Sequence, residues 1–142
     1  PGLLNTTAAL ATGWGCNTPM VCLTGQIPSA FIGRRRGHLH EVADQLGTLR
    51  SLVKWAERIE RPADAPGLVA EAFHQAQSGR PGPVALEMAW DVMAGSEDVP
   101  EAQAAVLDAL PKPDAMALSH AANLIRAARC PIIMTGSGAQ DA

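Results

Sequence analysis

The chain has 142 residues, of which 47% are hydrophobic and 18% are charged. This composition is typical of a folded domain with an apolar core and excludes a long disordered tail. The net charge of -3 disfavours nucleic acid as a partner. We find neither a secretory leader nor an apolar run long enough for a membrane span, and the three cysteines lack C-x-x-C spacing. We therefore expect a cytoplasmic protein without a membrane partner.

Helix and strand signals alternate from the start of the chain. Residues 3–15 are rich in alanine, threonine and leucine and end in glycines, which predicts a helix. The continuous apolar run at 20–24 predicts a strand buried on both faces. Residues 25–43 contain prolines, glycines and three consecutive arginines, so we expect a long loop of the kind that is often functional.

The alternation continues through the middle of the chain. Asp44 is predicted to cap a helix, and a strand is predicted at 55–59. Asp64 and Pro66 open a further helix, and a mainly apolar strand follows at 83–88. The positions of that helix expected to face the sheet are Leu68, Val69, Ala72, Phe73 and Ala76. The sequence therefore predicts an α/β fold, with a parallel sheet flanked by helices.

A change of composition predicts a second folded region. Residues 94–113 are acidic and contain prolines, which is typical of a linker between domains. Asp114 is predicted to cap a helix, and a strand at 131–135 is predicted to lead into a glycine turn. The helix positions expected to face inward are Leu118, Ala121, Ala122, Ile125 and Ala128. We interpret this region as the start of a second α/β domain and the chain as a piece of a longer protein.

Ligands of open parallel sheets bind beyond the carboxyl ends of the strands, which directs attention to the residues after the strand at 20–24. Gln26 lies at that position. Its neutral amide can donate and accept hydrogen bonds, which suits a polar heterocycle or a carboxylate. A glutamine that only caps the loop backbone is the alternative.

The loop also contains the densest group of proton-transferring side chains, His38-Leu39-His40-Glu41. Two histidines in an H-x-H pair could share one face as in some metal sites, but a third ligand at a recognised spacing is missing. Solvated histidines, a hydrogen bond from one of them to Glu41, and a general acid or base remain as alternatives.

Three other features have weaker chemical signals. The arginines at 34–36 could attract an anion, although three consecutive loop residues cannot all face one site. The Gly136-Ser137-Gly138 turn resembles a phosphate-binding turn but is more typical of an ordinary tight turn. Cys16 and Cys22 lie in apolar segments and are predicted to be buried, so neither is expected to act as a nucleophile.

Four motifs occur in a fixed order along the chain. They are Pro1-Gly2-Leu3-Leu4-Asn5, Pro19-Met20-Val21, Gly25-Gln26-Ile27-Pro28 with Ile32-Gly33, and Ser78-Gly79-Arg80-Pro81-Gly82-Pro83-Val84 followed by Asp91-Val92. Together they resemble thiamine-diphosphate-dependent enzymes of the acetolactate synthase type. The resemblance implies that residues 1–93 are the C-terminal part of the domain that binds the aminopyrimidine ring of the cofactor. Residues 94–113 would then be a linker, and residues 114–142 the start of the central α/β domain.

The resemblance also implies a reaction, the formation or cleavage of a carbon-carbon bond next to the carbonyl of a 2-oxo acid. Thiamine diphosphate and Mg²⁺ are the implied cofactors, and FAD is left open. In such enzymes a glutamate earlier in the chain activates the cofactor, and a later domain holds its diphosphate through the metal. We therefore expect no catalytic residue and no metal ligand in this segment, which alone should be inactive. A homodimer or homotetramer is implied because the active site forms between subunits.

The resemblance implies roles for six residues. Gln26, Pro1, Gly2 and Asn5 correspond to positions that contact the cofactor. Leu39 and His40 correspond to positions that contact the substrate, where acetolactate synthases generally have Phe and Gln. Leucine reshapes an apolar wall and histidine introduces a titratable donor, which argues against pyruvate as the substrate.

Three other functions remain to be weighed. One is a noncatalytic α/β module that binds an anion or a metal through residues 25–41. Another is a different thiamine-diphosphate-dependent decarboxylase or carboligase. The last is a degenerate family member that serves assembly only.

Overall fold

The computed structural model of the chain describes residues 1–139. The chain forms two compact units, which meet in sequence between Ala109 and Leu110. This break lies inside the predicted linker at 94–113, and the residues that follow α4 (Trp90–Met93) contain no helix or strand before the helix that begins at Ala115. The assignment of the two regions to particular domains of a longer enzyme stays a prediction.

The first unit contains a parallel sheet of three strands with helices on both faces. The strands are β1 (Val21–Gln26), β2 (Trp55–Ile59) and β3 (Val84–Ala89), in the order β1-β3-β2. The helices, besides α4, are α1 (Gly2–Gly15), α2 (Gln45–Arg50) and α3 (Ala65–Gln77), and short 3-10 turns lie at Ser29–Phe31 and Pro62–Asp64. The predicted α/β class is therefore confirmed.

The central strand β3 divides the core into two layers. Val84 and Leu86 face α3 and pack with Ile59, whereas Ala85 faces α1 and α2. This division follows from the pleat of a strand, since successive side chains point to opposite faces. The layer beneath α1 and α2 consists of Leu3, Leu10, Leu49, Val53, Ala56 and Ala85.

Helix α3 buries a narrower stripe than the sequence predicts. Ala72 and Ala76 are buried and Leu68 packs beside them, but Val69 and Phe73 are exposed, so the prediction for these last two is wrong. Positions 68, 72 and 76 form one row on the helix, whereas 69 and 73 lie about 100° further around it. The row at 68, 72 and 76 packs against the sheet, and the row at 69 and 73 faces solvent.

The predicted helix caps at Asp44 and Asp114 are confirmed, and the helix that Asp64 and Pro66 were expected to open is present as α3. Asp44 accepts a hydrogen bond from the Gly47 amide at 2.8 Å, and Asp114 accepts one from the Met116 amide at 2.9 Å. Asp64 precedes α3 but makes no capping bond with its side chain. The reason is that the 3-10 turn continues directly into α3, so Asp64 already has helical backbone angles.

The second unit contains α5 (Ala115–Ala127) and a 3-10 turn at Ser137–Ala139. No residue of α5 is buried, so the predicted inward stripe, which includes Leu118 and Ile125, is wrong for this chain. The predicted strand at 131–135 is also wrong, because these residues have no regular structure. A strand is stabilised by pairing with a neighbour, and the described part of this unit offers none. None of the described helices meets the length and hydropathy needed to cross a bilayer.

The central strand β3 is covered better than the edge strand β1, which gives a stability prediction. Leu86 is 1% exposed, and Leu23, its register partner on β1, is 70% exposed. We expect Leu86→Ala to lower the free energy of unfolding by about 3 kcal/mol, because a cavity remains in the core. Leu23→Ala should change it by less than about 0.5 kcal/mol. Urea unfolding of both variants checks this, and equal losses would contradict the core assignment.

Candidate functional site

A cavity of about 440 Å³ lies at the carboxyl ends of β1 and β3. Its walls come from the first residues of α1, the end of β1, residues 38–40 of the following loop, and the first residues of α2 and α4. This volume lies within the range of about 300–1,000 Å³ that is typical of small-molecule sites. The position is the one where open parallel sheets bind their ligands.

Five of the six residues singled out in the sequence line this cavity. They are Pro1, Gly2, Gln26, Leu39 and His40. Asn5 is exposed on α1, and the described lining of the cavity does not include it. The sheet thus brings together residues that lie far apart in the chain, while their roles in binding stay predictions.

Gln26 is held in place by hydrogen bonds at both ends of its amide. Its Oε1 accepts a hydrogen bond from the Ile27 amide at 2.8 Å, and its Nε2 donates to Glu87 Oε2 at 3.5 Å. The residue is 8% exposed and is part of the cavity wall. Gln26 therefore caps the loop backbone and also lines the cavity. The two interpretations of this residue, a loop cap and a ligand-binding side chain, are compatible.

Behind Gln26 lies a fully buried carboxylate that the sequence analysis missed. Glu87 Oε1 accepts from Nε of Arg58 at 2.6 Å and pairs with its Nη2 at 2.6 Å. Glu87 Oε2 accepts from Gln45 Nε2 at 2.9 Å, and the same nitrogen also donates to the Gly25 carbonyl at 3.0 Å. Within this network, defined here as Gln26, Gln45, Arg58 and Glu87, the charge of the carboxylate is matched by a guanidinium.

One signal in the sequence could have revealed this network. Glu87 is the single charged residue within the apolar strand Val84–Ala89. A carboxylate in the centre of a buried strand requires a partner, because an unpaired buried charge is very costly. The identity of the partners could not be read in the same way, since they come from β2 and from the start of α2.

The loop after β1 is organised around another carboxylate, that of Glu41. Glu41 Oε2 accepts a hydrogen bond from the His38 amide at 2.9 Å, and this bond, with others from the Gly37, Arg35 and Arg36 amides, lowers the pKa of the Glu41 carboxyl group. Glu41 therefore holds the loop backbone rather than a histidine ring. The predicted alternative of an imidazole–Glu41 hydrogen bond is thus replaced by a contact to the main chain.

The two histidines of the loop have different surroundings. The His38 ring lies 4.7 Å from the Phe31 ring, centroid to centroid, and its Nδ1 is 3.1 Å from the Leu39 carbonyl oxygen. His40 is exposed and has a left-handed backbone with φ of 69°, which is uncommon for a residue other than glycine. Within residues 1–139, no group of three or more His, Cys, Asp or Glu side chains is arranged to hold a metal ion.

Asp91 fixes the other end of the loop. Its Oδ1 accepts from the Ser29 amide at 2.9 Å, and its Oδ2 accepts from the Ser29 hydroxyl at 2.6 Å. The hydroxyl contact first, and the amide contact second, lower the pKa of the Asp91 carboxyl group. The helix after β3 is thereby tied to the loop after β1, beside the cavity.

The cysteines differ from the prediction in one respect. Cys16 is exposed just after α1, so the prediction that it is buried is wrong. The reason is that Cys16 follows the last turn of α1, whose buried residues are Leu3, Leu10 and Gly13. Cys22 is partly buried in β1, and this burial raises the pKa of its thiol.

The fold is that of the class of α/β domains with an open parallel sheet, and the cavity lies where such domains have their ligand sites. The chain is 31% identical to a probable acetolactate synthase large subunit of Methanocaldococcus jannaschii over 97% of its length. It is 31% identical to the acetolactate synthase isozyme 1 large subunit of Escherichia coli and 36% identical to the acetolactate synthase large subunit of Parasynechococcus marenigrum. Both alignments cover the full length of this chain. The chain therefore belongs to an acetolactate synthase-like family, as the resemblance indicated.

The similarity covers only part of each relative. The chain spans 24%, 25% and 23% of these three proteins, which is about a quarter of their length. No protein-family model matches the chain. What the complete protein does is therefore a matter for proposal.

The buried carboxylate gives a prediction about stability. Glu87→Gln removes the charge that balances the partly buried Arg58, and we expect a loss of about 3 kcal/mol in the free energy of unfolding. The matched control is Glu57→Gln on β2, because Glu57 forms an exposed ion pair with Arg50. This control should cost less than about 1 kcal/mol. Urea unfolding measures both, and a loss at position 87 no larger than that at 57 would contradict the role of the network.

Proposed function

We propose that the chain is a segment of a thiamine-diphosphate-dependent enzyme that resembles acetolactate synthase and acts on a 2-oxo acid. The cavity at the ends of β1 and β3 would receive the aminopyrimidine ring of the cofactor. The observation that carries this proposal is the position of Gln26, which lines the cavity and whose amide is anchored by Glu87 and the Ile27 backbone. The similarity to acetolactate synthases over nearly the whole chain supports it.

The chemistry of the cavity wall fits a flat polar heterocycle. Pro1, Leu3 and Ile27 provide apolar surface, and Gln26 provides an amide whose Nε2 has a second N–H beyond the one directed at Glu87. No carboxylate is among the described residues of this wall. The diphosphate and Mg²⁺ would then be held by residues outside this segment, in agreement with the implied position of the metal site.

Within this proposal the cofactor, when bound, supplies an electron sink for the carbon next to the carbonyl. The chain's own residues would bind and orient the cofactor and the substrate. Gln26 fixes the ring through its amide, while Leu39 and His40 lie on the loop side of the cavity, where the substrate would enter. The His40 imidazole can hold or release a proton there, in contrast to the amide that the resemblance implies at this position.

Assembly into a homodimer or homotetramer is part of the same proposal. Leu39 and Trp90 both line the cavity and are 76% and 57% exposed. Large apolar side chains at a cavity rim favour coverage by further protein. The relatives are named large subunits, which agrees with an assembly of several chains.

The role of Gln26 can be tested in the intact enzyme. We expect Gln26→Ala to lower kcat/KM by about tenfold or more, because a hydrogen bond to the cofactor is lost. The apparent affinity for thiamine diphosphate should fall with it. Gln103→Ala is the control, since Gln103 is exposed in the segment that follows α4 in sequence and does not line the cavity.

The measurement is turnover of a 2-oxo acid while thiamine diphosphate is varied. An intact protein that turns over 2-oxo acids equally well without the cofactor would overturn the proposed function. A Gln26→Ala variant with unchanged dependence on the cofactor would overturn only the role of this residue. The two failures are therefore distinguishable.

His40 gives a prediction about specificity. We expect His40→Gln in the intact enzyme to change the ratio of kcat/KM for 2-oxobutyrate and pyruvate by about threefold or more, or to alter the pH profile of kcat/KM. His120→Gln on α5 serves as the control, because His120 is exposed and far along the chain from the cavity residues. Steady-state kinetics across pH that match the unsubstituted enzyme would remove His40 from the active site.

A further inference from the structure

A second cavity, of about 330 Å³, lies beside the first and shares Gln26 and Gln45 with it. Its remaining wall is formed by Ile32, Gly33 and Arg35 of the loop, the residues 42–44 before α2, and Arg58 of β2. We propose that this second cavity is a binding site for a small oxyanion, a carboxylate or a phosphate, with Arg35 as its principal ligand. The inference goes beyond the proposed function and does not depend on it.

Among the described residues of this wall, Arg35 is the basic side chain that forms no ion pair. Arg58, the other cation in the wall, is bound to Glu87. Asp44, the carboxylate in the wall, accepts a hydrogen bond from the Gly47 amide at the start of α2 and keeps its negative charge. Among the described residues, no carboxylate lies within ion-pair distance of Arg35. A guanidinium that forms no ion pair can bind an oxyanion through two parallel hydrogen bonds.

The loop backbone places Arg35 at this cavity. Arg35 has a left-handed backbone with φ of 51°, between Gly33 at 76° and Gly37 at 73°. Such a conformation is uncommon for arginine, and strained residues of this kind cluster at ligand-binding positions. In the same loop Glu41 accepts a hydrogen bond from the His38 amide at 2.9 Å, and this bond does not involve the Arg35 guanidinium.

The neighbouring arginines make a selective test possible. Arg34 and Arg36 carry the same charge on the same loop, but neither is part of the described wall of the second cavity. A general electrostatic attraction would depend on all three arginines alike. A site would depend on Arg35 alone.

The experiment is isothermal titration calorimetry of the intact protein with inorganic phosphate and, separately, with glutarate, at constant ionic strength. The variants are Arg35→Asn, Arg34→Asn and Arg36→Asn, since asparagine tolerates the left-handed backbone. We expect Arg35→Asn to raise the Kd of at least one probe by about tenfold or more, and the other two variants to change it by less than about twofold. Arg35→Lys, which keeps the charge but loses the planar fork, should lie between them.

Each outcome decides the proposal. Binding of phosphate alone supports a free phosphate or phosphate ester as the ligand, and binding of glutarate alone supports a dicarboxylate. No binding of either probe, or equal weakening by all three asparagine variants, overturns the site. Thermal unfolding of each variant shows whether the fold is retained. Because the readout is binding without thiamine diphosphate, failure here leaves the proposed enzymatic function untouched.

Discussion

The arrangement of the first unit depends on one buried charge, the carboxylate of Glu87. Burial of an ionised carboxylate costs several kcal/mol unless the charge is paired and its oxygens accept hydrogen bonds. Here Oε1 is taken by Arg58 and Oε2 by the amides of Gln45 and Gln26. The partners come from both neighbouring strands and from α2, so the requirement of this one side chain constrains the elements around it.

The same charge also fixes the strand register. Thr24 on β1 and Arg58 on β2 are both register partners of Glu87. A slip of one residue in β2 would turn Arg58 to the opposite face and leave Glu87 without its counter-charge. Apolar side chains tolerate exchange more easily than this pair does. The network therefore adds specificity of pairing to the stability that the apolar layers provide.

Features that depend on interactions between residues close in sequence could be predicted, whereas features that depend on residues far apart in sequence could not. The strands and the caps at Asp44 and Asp114 were predicted because periodicity and capping act over a few residues. The place of Gln26 at the cavity could be predicted because the carboxyl end of a strand is itself a positional signal, while its role stays a prediction. The prediction of a strand at 131–135 is wrong because an apolar run forms a strand only where a partner strand is present. The prediction that Val69 and Phe73 are buried is wrong because the width of the buried stripe on a helix depends on the sheet beneath it.

The partners of Glu87 could not be predicted for a similar reason. Gln26, Gln45 and Arg58 are separated from Glu87 by 61, 42 and 29 positions along the chain. They meet because β3 lies between β1 and β2, an order that does not follow the order of the chain. Local patterns do not specify that crossover. The buried charge predicts that a partner exists, and only the topology identifies it.

The loop after β1 is ordered by contacts that leave its cavity-facing side chains free. Glu41 holds main-chain amides, Asp91 holds Ser29, and glycines at 33 and 37 supply the left-handed turns. None of these contacts uses the side chains of Arg35, Leu39 or His40. Substitution at those positions therefore changes the chemistry of the cavities at little cost to the fold. This separation explains how the loop can carry leucine and histidine, where the family resemblance implies Phe and Gln, on an otherwise similar framework.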